Sequence, residues 1–304
     1  MKNFLLYSIS TLIWGSTWLG IKFQLGAVDP MVSVAYRFLL AAGILLAYCF
    51  LARLKMRFSI KDHAFFLMEG IFLFAINYWL VYLAELHLPS GLVAVVFTTI
   101  VCFNIFNGAI FLKSPVHIRM ILGAIIGFAG VSMVFKDEIS SFSLSSANFA
   151  ALLTALCSAF MASIGNIISA RNHKHGIPVI QSTAIAMFYG AIGMVAISCL
   201  AGKAFTFENT FPYISSLLYL AIFGSILAFS AYLSLIGNIG ADRAAYVTLV
   251  IPIIALVLST IFEDYVWKMT AIVGVMLVLS GNLMIVDKNL YKKIRFPLRS
   301  RGRS

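Results

Sequence analysis

Charged residues are scarce in this 304-residue chain, at 11% of the sequence, whereas hydrophobic residues make up 62%. Soluble domains average about 25% charged residues. One soluble core could not bury so many apolar residues, so the composition indicates an integral membrane protein. The net charge of +11 does not point to nucleic acid, because the basic residues lie in short loops and a tail while most of the chain is needed for spans.

Sequence motifs for soluble catalysis are also lacking. The four cysteines lie within apolar runs, and none has the spacing of metal ligands. Cysteines in such positions usually act as small buried hydrophobic residues. The chain has no H-E-x-x-H, G-x-S-x-G or Walker sequence. We therefore expect no metal, no cofactor and no enzymatic activity.

The first apolar run lacks an A-x-A exit and continues to about Leu25, which indicates a retained span rather than a cleaved signal peptide.

The chain does contain an internal repeat. A shift of 151 positions places Pro89–Phe135 on Gly240–Val286 without a gap. The matched positions include two glycine pairs, Gly123 with Gly274 and Gly130 with Gly281. Identity is low, but matched apolar blocks with glycines in register indicate an old duplication, and repeated hydrophobic segments are typical of transporters.

Ten apolar stretches approach or exceed the length of about 20 residues that a membrane span needs. They are Phe4–Gln24, Met31–Ala52, Ala64–Glu85, Ser90–Leu112, Ile118–Phe135, Phe149–Ala170, Val179–Leu200, Tyr213–Ile236, Ala244–Phe262 and Met269–Val286. The serine-rich connector Lys136–Asn148 separates two halves. We expect an all-α membrane protein with ten transmembrane helices, formed by one five-helix repeat over residues 1–140, a second over 147–287, and a basic tail over 288–304.

The basic residues predict the orientation of the chain. If both termini are cytoplasmic, 17 Lys and Arg residues lie on inner segments and three lie in outer loops. This bias agrees with the positive-inside rule. Because five spans per half is an odd number, the second half enters the membrane from the opposite side. The expected result is an inverted repeat around a midplane site, which is the geometry of alternating access.

The first span carries a polar and aromatic stripe. Thr11, Trp14, Trp18 and Lys22 recur at spacings of three and four residues, so they share one helix face. Aromatic walls that end in an ammonium group suit an aromatic or carboxylate-bearing solute. The alternative is that the tryptophans pack against neighbouring helices while Lys22 extends to the outer interface.

Arg37 in the second span is the strongest candidate for solute contact. It lies about 7 Å outward from the middle of its span, and its guanidinium binds carboxylates in a forked geometry. The alternative is a structural ion pair with Asp29 or Glu85. Asp29 lies about 12 Å away along a helix, too far for a direct pair without bending. We therefore expect a small zwitterion or organic acid with an apolar or aromatic side, such as an amino acid.

The third span presents two polar faces. Tyr78, Tyr82 and Glu85 share one face, which groups three polar tips and is the better candidate for solute contact. Glu69 lies almost opposite. A carboxylate within a span is costly unless it has a partner, so Glu69 either pairs with a neighbouring group or carries a proton as the coupling site.

Small residues and a proline identify positions where helices approach closely or bend. Gly15 and Thr17 lie near the middle of the first span, where small residues permit close packing or a kink. In the ninth span Thr248 shares a face with Pro252, which removes a backbone hydrogen bond and can form a hinge. The predicted substrate-contacting residues are Trp14, Thr17, Trp18, Lys22, Arg37, Tyr78, Tyr82 and Thr248.

Two further features predict partners. Gly123, Gly127 and Gly130 flatten one face of the fifth span, and we expect that face to pack within the chain rather than to dimerise, consistent with a monomer. The tail over 288–304 has seven basic residues and no acidic one. Such a segment is expected to rest on anionic lipid at the cytoplasmic surface, at about 1 kcal/mol per basic residue.

Several of these segments resemble the drug/metabolite transporter superfamily, in its EamA-type branch. The resemblance rests on Trp14-Gly15-Ser16-Thr17-Trp18 in the first span, Tyr36-Arg37-Phe38 in the second, and Ile261-Phe262-Glu263 followed by Gly274 and Gly281 in the last two. It extends over the whole chain. The first copy departs from the pattern, because Leu112 stands where the second copy has Glu263 and Val101 stands where it has Pro252.

The resemblance implies a carrier of the bacterial inner membrane with five-plus-five inverted repeats and a central cavity. Such carriers typically export amino acids or related metabolites, so we predict a secondary transporter for a small-molecule substrate. A membrane-embedded enzyme that acts on a lipid or isoprenoid is the alternative from another class. A channel or scaffold is less favoured, because scattered charges within spans and two-copy symmetry suit a gated cavity better than an open pore.

Overall fold

The computed structural model describes residues 2–136, 147–239 and 247–286, which form helices joined by loops. No strand occurs in these ranges, which confirms the predicted all-α class. Helices lie at all ten predicted apolar stretches, and we number them α1 to α10. Their bounds are Lys2–Lys22, Pro30–Leu51, Ile60–Glu85, Ser90–Leu112, Ile118–Val134, Ala147–Lys174, Val179–Leu200, Phe211–Leu218 continued through Tyr219–Leu227 and Ala228–Ile239, Val247–Phe262, and Met269–Val286.

Seven of the described helices, α1 to α4 and α6 to α8, are long and apolar enough to cross a membrane. The other three, α5, α9 and α10, are apolar but shorter than those seven within the described ranges. Ten spans therefore remain a prediction at these three positions. The predicted start of the ninth span at Ala244, most of the connector between the halves, and the basic tail lie outside the described residues.

Local sequence determines several helix ends. Pro30 opens α2, and the Asp29 side chain accepts a hydrogen bond from the Met31 backbone N–H at 2.9 Å. Ser59 and Asp62 form a reciprocal capping box at the start of α3. Gly176 follows α6 with a φ of 74°, a left-handed conformation that glycine adopts without strain. These ends fix where the chain turns between helices.

Two helices contain π-helical stretches at equivalent positions of the repeat. Gly70–Ile76 in α3 and Tyr219–Leu227 in α8 both have π geometry. The 151-residue shift places 70–76 on 221–227, within the second stretch. π-helices are rare and frequently mark functional sites. Their recurrence in both copies indicates that the wide turn belongs to the fold.

The two copies interrupt another helix by different means. In the first copy α4 is broken at Thr98 and Thr99, whose hydroxyls donate to the Val95 and Val96 carbonyls, each at 2.7 Å. The equivalent helix α9 is continuous but contains the buried Pro252. The first copy has Val101 in place of this proline, yet the structure breaks α4 at the two threonines that lie two and three residues before Val101.

Equivalent helices of the two copies make equivalent packing contacts. Helix α1 packs on α8 and α9, and the equivalent helix α6 packs on α3 and α4. Helix α5 also packs extensively on α10, and α2 on α7, so each of these helices contacts its own counterpart. This pattern describes an approximate two-fold relation between the halves.

Backbone contact between glycines joins α5 to α10. A Cβ atom on Gly123 would lie 2.6 Å from the Gly281 carbonyl oxygen, and one on Gly130 would lie 2.6 Å from that of Gly274. Residue numbers rise along one helix as they fall along the other, so the crossing is antiparallel. The prediction that this glycine face packs within the chain is confirmed for Gly123 and Gly130.

Candidate functional site

Arg37 lies on α2 in the interior of the helix bundle, with 1% of its surface exposed. Its guanidinium carbon is 4.4 Å from the centre of the Tyr78 ring and 5.2 Å from that of Phe38. The Nε and Nη1 atoms have no hydrogen-bond partner. Among the described residues no carboxylate oxygen lies within 4.0 Å of this guanidinium. Arg37 is therefore held by aromatic rings and lacks a close anionic partner.

Neither Asp29 nor Glu85, the two acids considered as structural partners of Arg37, forms an ion pair with it. Asp29 pairs instead with Lys203, with 2.8 Å between Oδ2 and Nζ. Glu85 is completely buried, and neither of its carboxylate oxygens has a hydrogen-bond partner. The direct ion pair that was the alternative for Arg37 does not form with either residue.

A second buried group lies next to Glu85 on α3. Tyr82, one helical turn earlier, donates a hydrogen bond to Oε1 of Gln24 at the end of the first predicted span. The Nε2 atom of Gln24 has no partner. Glu85 lies within electrostatic range of Lys22, Glu263 and Arg37. We call Gln24, Arg37, Tyr82 and Glu85 the polar cluster.

Lys22 and Glu263 join three helices at the predicted outer end. The Lys22 ammonium lies 3.6 Å from Oε1 of Glu263 and donates to the Glu85 backbone carbonyl. Glu263 also accepts hydrogen bonds from the Ser90 backbone N–H, at 3.1 and 3.0 Å, and from the Ser90 hydroxyl. A carboxylate is favourable there, because the first N–H groups of a helix lack backbone partners. We call Lys22, Ser90 and Glu263 the outer cluster.

The outer cluster changes the interpretation of Lys22. The sequence offered two alternatives, contact with a solute or extension to the outer interface, whereas the structure places the ammonium against Glu263 and Glu85. A cavity of about 470 Å³ lies beside the cluster, lined in part by Leu19, Lys22, His87 and Glu263. The ion pair thus links α1 to the residue that follows α9, next to this cavity.

The tryptophans of α1 pack against neighbouring helices. The Trp14 indole donates to the Gly224 carbonyl at 3.2 Å, and its ring lies 5.1 Å from that of Phe229. Trp18 packs edge-on against Phe97, with 5.2 Å between ring centres. Both rings are partly exposed, so each has a packed edge and an accessible one.

Gly224 brings α1 and Arg37 together within the π stretch of α8. A Cβ atom there would lie 2.8 Å from the Thr17 methyl group and 3.6 Å from Nη2 of Arg37. Thr17, Arg37 and the Trp14 hydrogen bond therefore meet at one glycine. Sequence analysis did not select Gly224 or Gln24. The available signals were the position of Gly224 in the eighth span and the polarity of Gln24 at a span end.

The hinge candidates lie along the contact between α1 and α9. A Cβ atom on Gly15 would lie 2.7 Å from two side-chain atoms of Ile254, so only glycine permits this approach. Pro252 is buried two residues earlier in α9, and Thr248, one turn before it, is partly buried. This arrangement places Thr248 on the same helix pair as Trp14 but does not place it in the polar cluster.

Glu69 belongs to a different network, between α3 and α6. It is 1% exposed and accepts a hydrogen bond from Nδ2 of Asn172 at 2.9 Å. The Asn172 amide oxygen accepts from Arg171, which lies 3.8 Å from Asp62 and stacks on Phe65 at 3.6 Å. Glu69 thus has a neutral hydrogen-bond partner in Asn172, within a network that does not include Arg37.

Comparison with known proteins gives the chain a family. The EamA-like transporter family matches residues 1–136 and 149–287, which are the two halves. The uncharacterized inner membrane transporter YedA of Escherichia coli K12 is 30% identical over 82% of this chain and 79% of its own length. The uncharacterized transporter YvbV of Bacillus subtilis is 25% identical over 96% of this chain and 94% of its own length.

A solved crystal structure shares the fold, with a TM-score of 0.67 at 17% identity over 97% of this chain and 99% of that one. The family match covers almost the whole described chain in two segments, as the internal repeat requires. It confirms the resemblance drawn from the Trp14–Trp18 segment and the glycine pattern. This chain is therefore a multi-pass membrane protein that belongs to the EamA-like transporter family.

Proposed function

We propose that the protein is a secondary transporter that exports amino acids or related small metabolites across the bacterial inner membrane by alternating access. Ten spans in two inverted five-helix repeats, with both termini in the cytoplasm, would provide the two half-gates that this mechanism needs. The antiparallel crossing of α5 and α10 supports the inversion. The basic residues of the predicted inner segments support the orientation.

One observation supports the solute class most strongly, namely the buried Arg37 without a close anion. A charge removed from water is unfavourable unless it is paired. A solute carboxylate would supply both charge and forked hydrogen bonds to Nε and Nη1. The rings of Trp14, Trp18 and Tyr78 would provide apolar surface for the solute side chain, and the Thr17 and Tyr82 hydroxyls would provide polar contacts.

Other sequence candidates take related roles in this proposal. Lys22 would hold the predicted outer end closed through Glu263, and Thr248 would line the path along α9. Gly15 and Pro252 would permit α1 and α9 to change their crossing. Glu69 would carry the coupling proton, and residues 288–304 would rest on anionic lipid. The transporter would act as a monomer.

The test is solute flux into liposomes that contain only this protein, for the wild type and Arg37→Gln. We expect saturable flux in the wild type and a KM for amino acids raised about tenfold or more in the variant, because a charge-assisted hydrogen-bond pair is lost. Solutes without a carboxylate should keep their KM. Size-exclusion chromatography in detergent establishes that the variant is folded.

Arg171→Gln is the matched control, since Arg171 is also stacked on an aromatic ring but has protein partners in Asp62 and Asn172. Its KM should not change. A well-folded Arg37→Gln variant with an unchanged KM would remove Arg37 from the site and with it the carboxylate argument. Chemical conversion of a lipid or isoprenoid without net transport would instead support the enzyme alternative.

A further inference from the structure

Buried polar atoms without partners are concentrated in the polar cluster. Nine buried side-chain nitrogen or oxygen atoms among the described residues have no hydrogen bond. Five of these nine belong to Gln24, Arg37 and Glu85. Scattered packing defects would not collect on three residues of neighbouring elements, and such groups are expected to have partners in a native protein. The concentration indicates a place built for another molecule.

The unpartnered atoms are chemically complementary to a molecule with two opposite charges. Arg37 offers Nε and Nη1 as donors, and Glu85 offers both carboxylate oxygens as acceptors. The two side chains lie within electrostatic range of each other but form no ion pair within 4.0 Å. Each therefore retains its hydrogen-bonding capacity for a third group.

We propose that Glu85 binds the ammonium group of the solute while Arg37 binds its carboxylate, so that the polar cluster is a two-point site for a zwitterion. This inference rests on the proposed function and narrows it from amino acids and related acids to solutes that carry both charges. Gln24 Nε2 supplies a further donor for the carboxylate. Its amide is held in place by Tyr82, which donates to Oε1.

Other solute classes leave one half of this site unsatisfied. A monocarboxylate would pair with Arg37 but would leave the Glu85 carboxylate buried without a partner. A lipophilic cation would satisfy Glu85 and leave Arg37 unpaired. A dicarboxylate would place a second negative charge near Glu85, which is unfavourable at short range in a low-dielectric interior.

Lys22 does not compete for the role of Arg37. Its ammonium already contacts Glu263 and the backbone carbonyl of Glu85. The same contact ties the main chain at Glu85 to the outer cluster. The group proposed to bind the solute ammonium is therefore joined, through its own backbone, to the groups that hold α1 against α9.

The experiment compares three solutes of one shape in liposomes with purified full-length protein. Leucine carries both charges, 4-methylpentanoate lacks the amine, and 3-methylbutylamine lacks the carboxylate. In the wild type we expect leucine to have the lowest KM. In Glu85→Gln the KM for leucine should rise about tenfold, the effect of one charge-assisted contact, while that for 4-methylpentanoate stays the same or falls.

Controls separate a binding role from a structural one. Glu208→Gln, in a loop before α8, should leave the leucine preference unchanged. Equal KM changes for leucine and 4-methylpentanoate in Glu85→Gln would overturn the proposal, since a merely structural role would not distinguish them. If Glu85→Gln does not fold, the test is how strongly each of the three solutes inhibits transport by the wild type. Equal inhibition by leucine and 4-methylpentanoate would contradict the two-point site.

The outcomes also distinguish this inference from the proposed function. If the wild type transports both leucine and 4-methylpentanoate with equal KM, amino-acid export stands while the role of Glu85 is wrong. If it transports neither these nor any other carboxylate-bearing solute, the proposed function itself is wrong.

Discussion

Buried charged residues in this molecule differ in whether a neighbouring group satisfies them. Glu69 has Asn172, and Lys22 has Glu263. Arg37 and Glu85 are as deeply buried as Glu69 and more deeply than Lys22, but most of their polar atoms have no partner. An unpaired ion in a low-dielectric interior is unfavourable. Glu69 and Lys22 therefore contribute to the structure through their partners, whereas burial of Arg37 and Glu85 is costly until a ligand binds.

Glu69→Gln tests the proposed coupling role at the residue scale. A glutamine oxygen can accept the Asn172 hydrogen bond as the carboxylate does, so the variant should fold with stability within about 1 kcal/mol of the wild type. Without a titrating carboxylate, flux driven by an imposed pH gradient should be lost, while exchange of solute for solute continues. Both rates are measured in liposomes with and without the gradient.

Glu208→Gln provides the comparison, because it removes a carboxylate from a loop that holds no buried charge network. It should respond to the gradient as the wild type does. A full response in Glu69→Gln would assign Glu69 to the structural network with Asn172 alone.

At the scale of single helices, the wide turn in α8 is the element that positions Arg37. The π stretch brings Gly224 against Thr17 on one side and Arg37 on the other. The equivalent stretch in α3 brings Leu73 against Gly165 of α6. The two copies therefore share the same close approach of two helices. The glycine lies on the π stretch in α8 but on the facing helix, α6, in the other copy, and Arg37 lies beside the approach at α8.

Gly224→Ala should disturb solute binding more than folding. The added methyl group would lie 2.8 Å from the Thr17 methyl carbon and displace Thr17 and Arg37. We expect a KM for amino acids raised about tenfold, corresponding to about 1.4 kcal/mol of strain. The measurement is flux in liposomes together with the thermal unfolding midpoint in detergent.

Gly43→Ala is the matched control for that change. Gly43 lies on α2, the helix that carries Arg37, and a Cβ atom there meets nothing within 4 Å. Its KM should equal that of the wild type. A Gly224→Ala variant with wild-type KM would show that the solute does not depend on the position of Arg37 and Thr17.

The sequence predicts which segments are helices far better than it predicts their internal geometry. Long apolar runs and turn residues such as Asp29-Pro30 set the helix positions, and these agree with the structure. The π stretch at Gly70–Ile76 contains ordinary apolar residues, and the break at Thr98-Thr99 contains no proline. Backbone hydrogen-bond register at such places depends on packing against other helices, which a local pattern does not contain.

The partners of the buried charges could not be predicted for a similar reason. Lys22 and Glu263 are far apart in the sequence, and so are Asp29 and Lys203. The positions of Lys22 and Arg37 within spans indicated that their charges are costly without partners. Only the fold determines which partner each one finds, and it assigned Lys22 and Asp29 while leaving Arg37 and Glu85 without close pairs.

For the whole molecule, the crossing of α5 and α10 is a close backbone contact between the halves. Gly130→Ala should weaken it, because the added methyl group would lie 2.6 Å from the Gly274 carbonyl oxygen and 2.7 Å from the Val278 nitrogen. We expect the free energy of unfolding to fall by about 1–3 kcal/mol, the usual cost of overpacking. Thermal unfolding in detergent measures the change.

Gly127→Ala is the control on the same helix, one turn before Gly130. A Cβ atom at Gly127 meets nothing within 4 Å. Alanine favours helix over glycine by about 1 kcal/mol, so this variant should be as stable as the wild type or more so. Equal stability of the two variants would mean that the halves do not depend on this contact.

The glycine contact is self-complementary. Gly123 and Gly130 of one copy face Gly281 and Gly274 of the other, and the repeat equates Gly123 with Gly274 and Gly130 with Gly281. Each side of the surface is thus encoded by the same pattern, as in an isologous dimer of two identical subunits. A single five-helix sequence would contain everything needed to form it. Fusing two copies then leaves residues outside this surface free to diverge, as Glu263 and Leu112 have done.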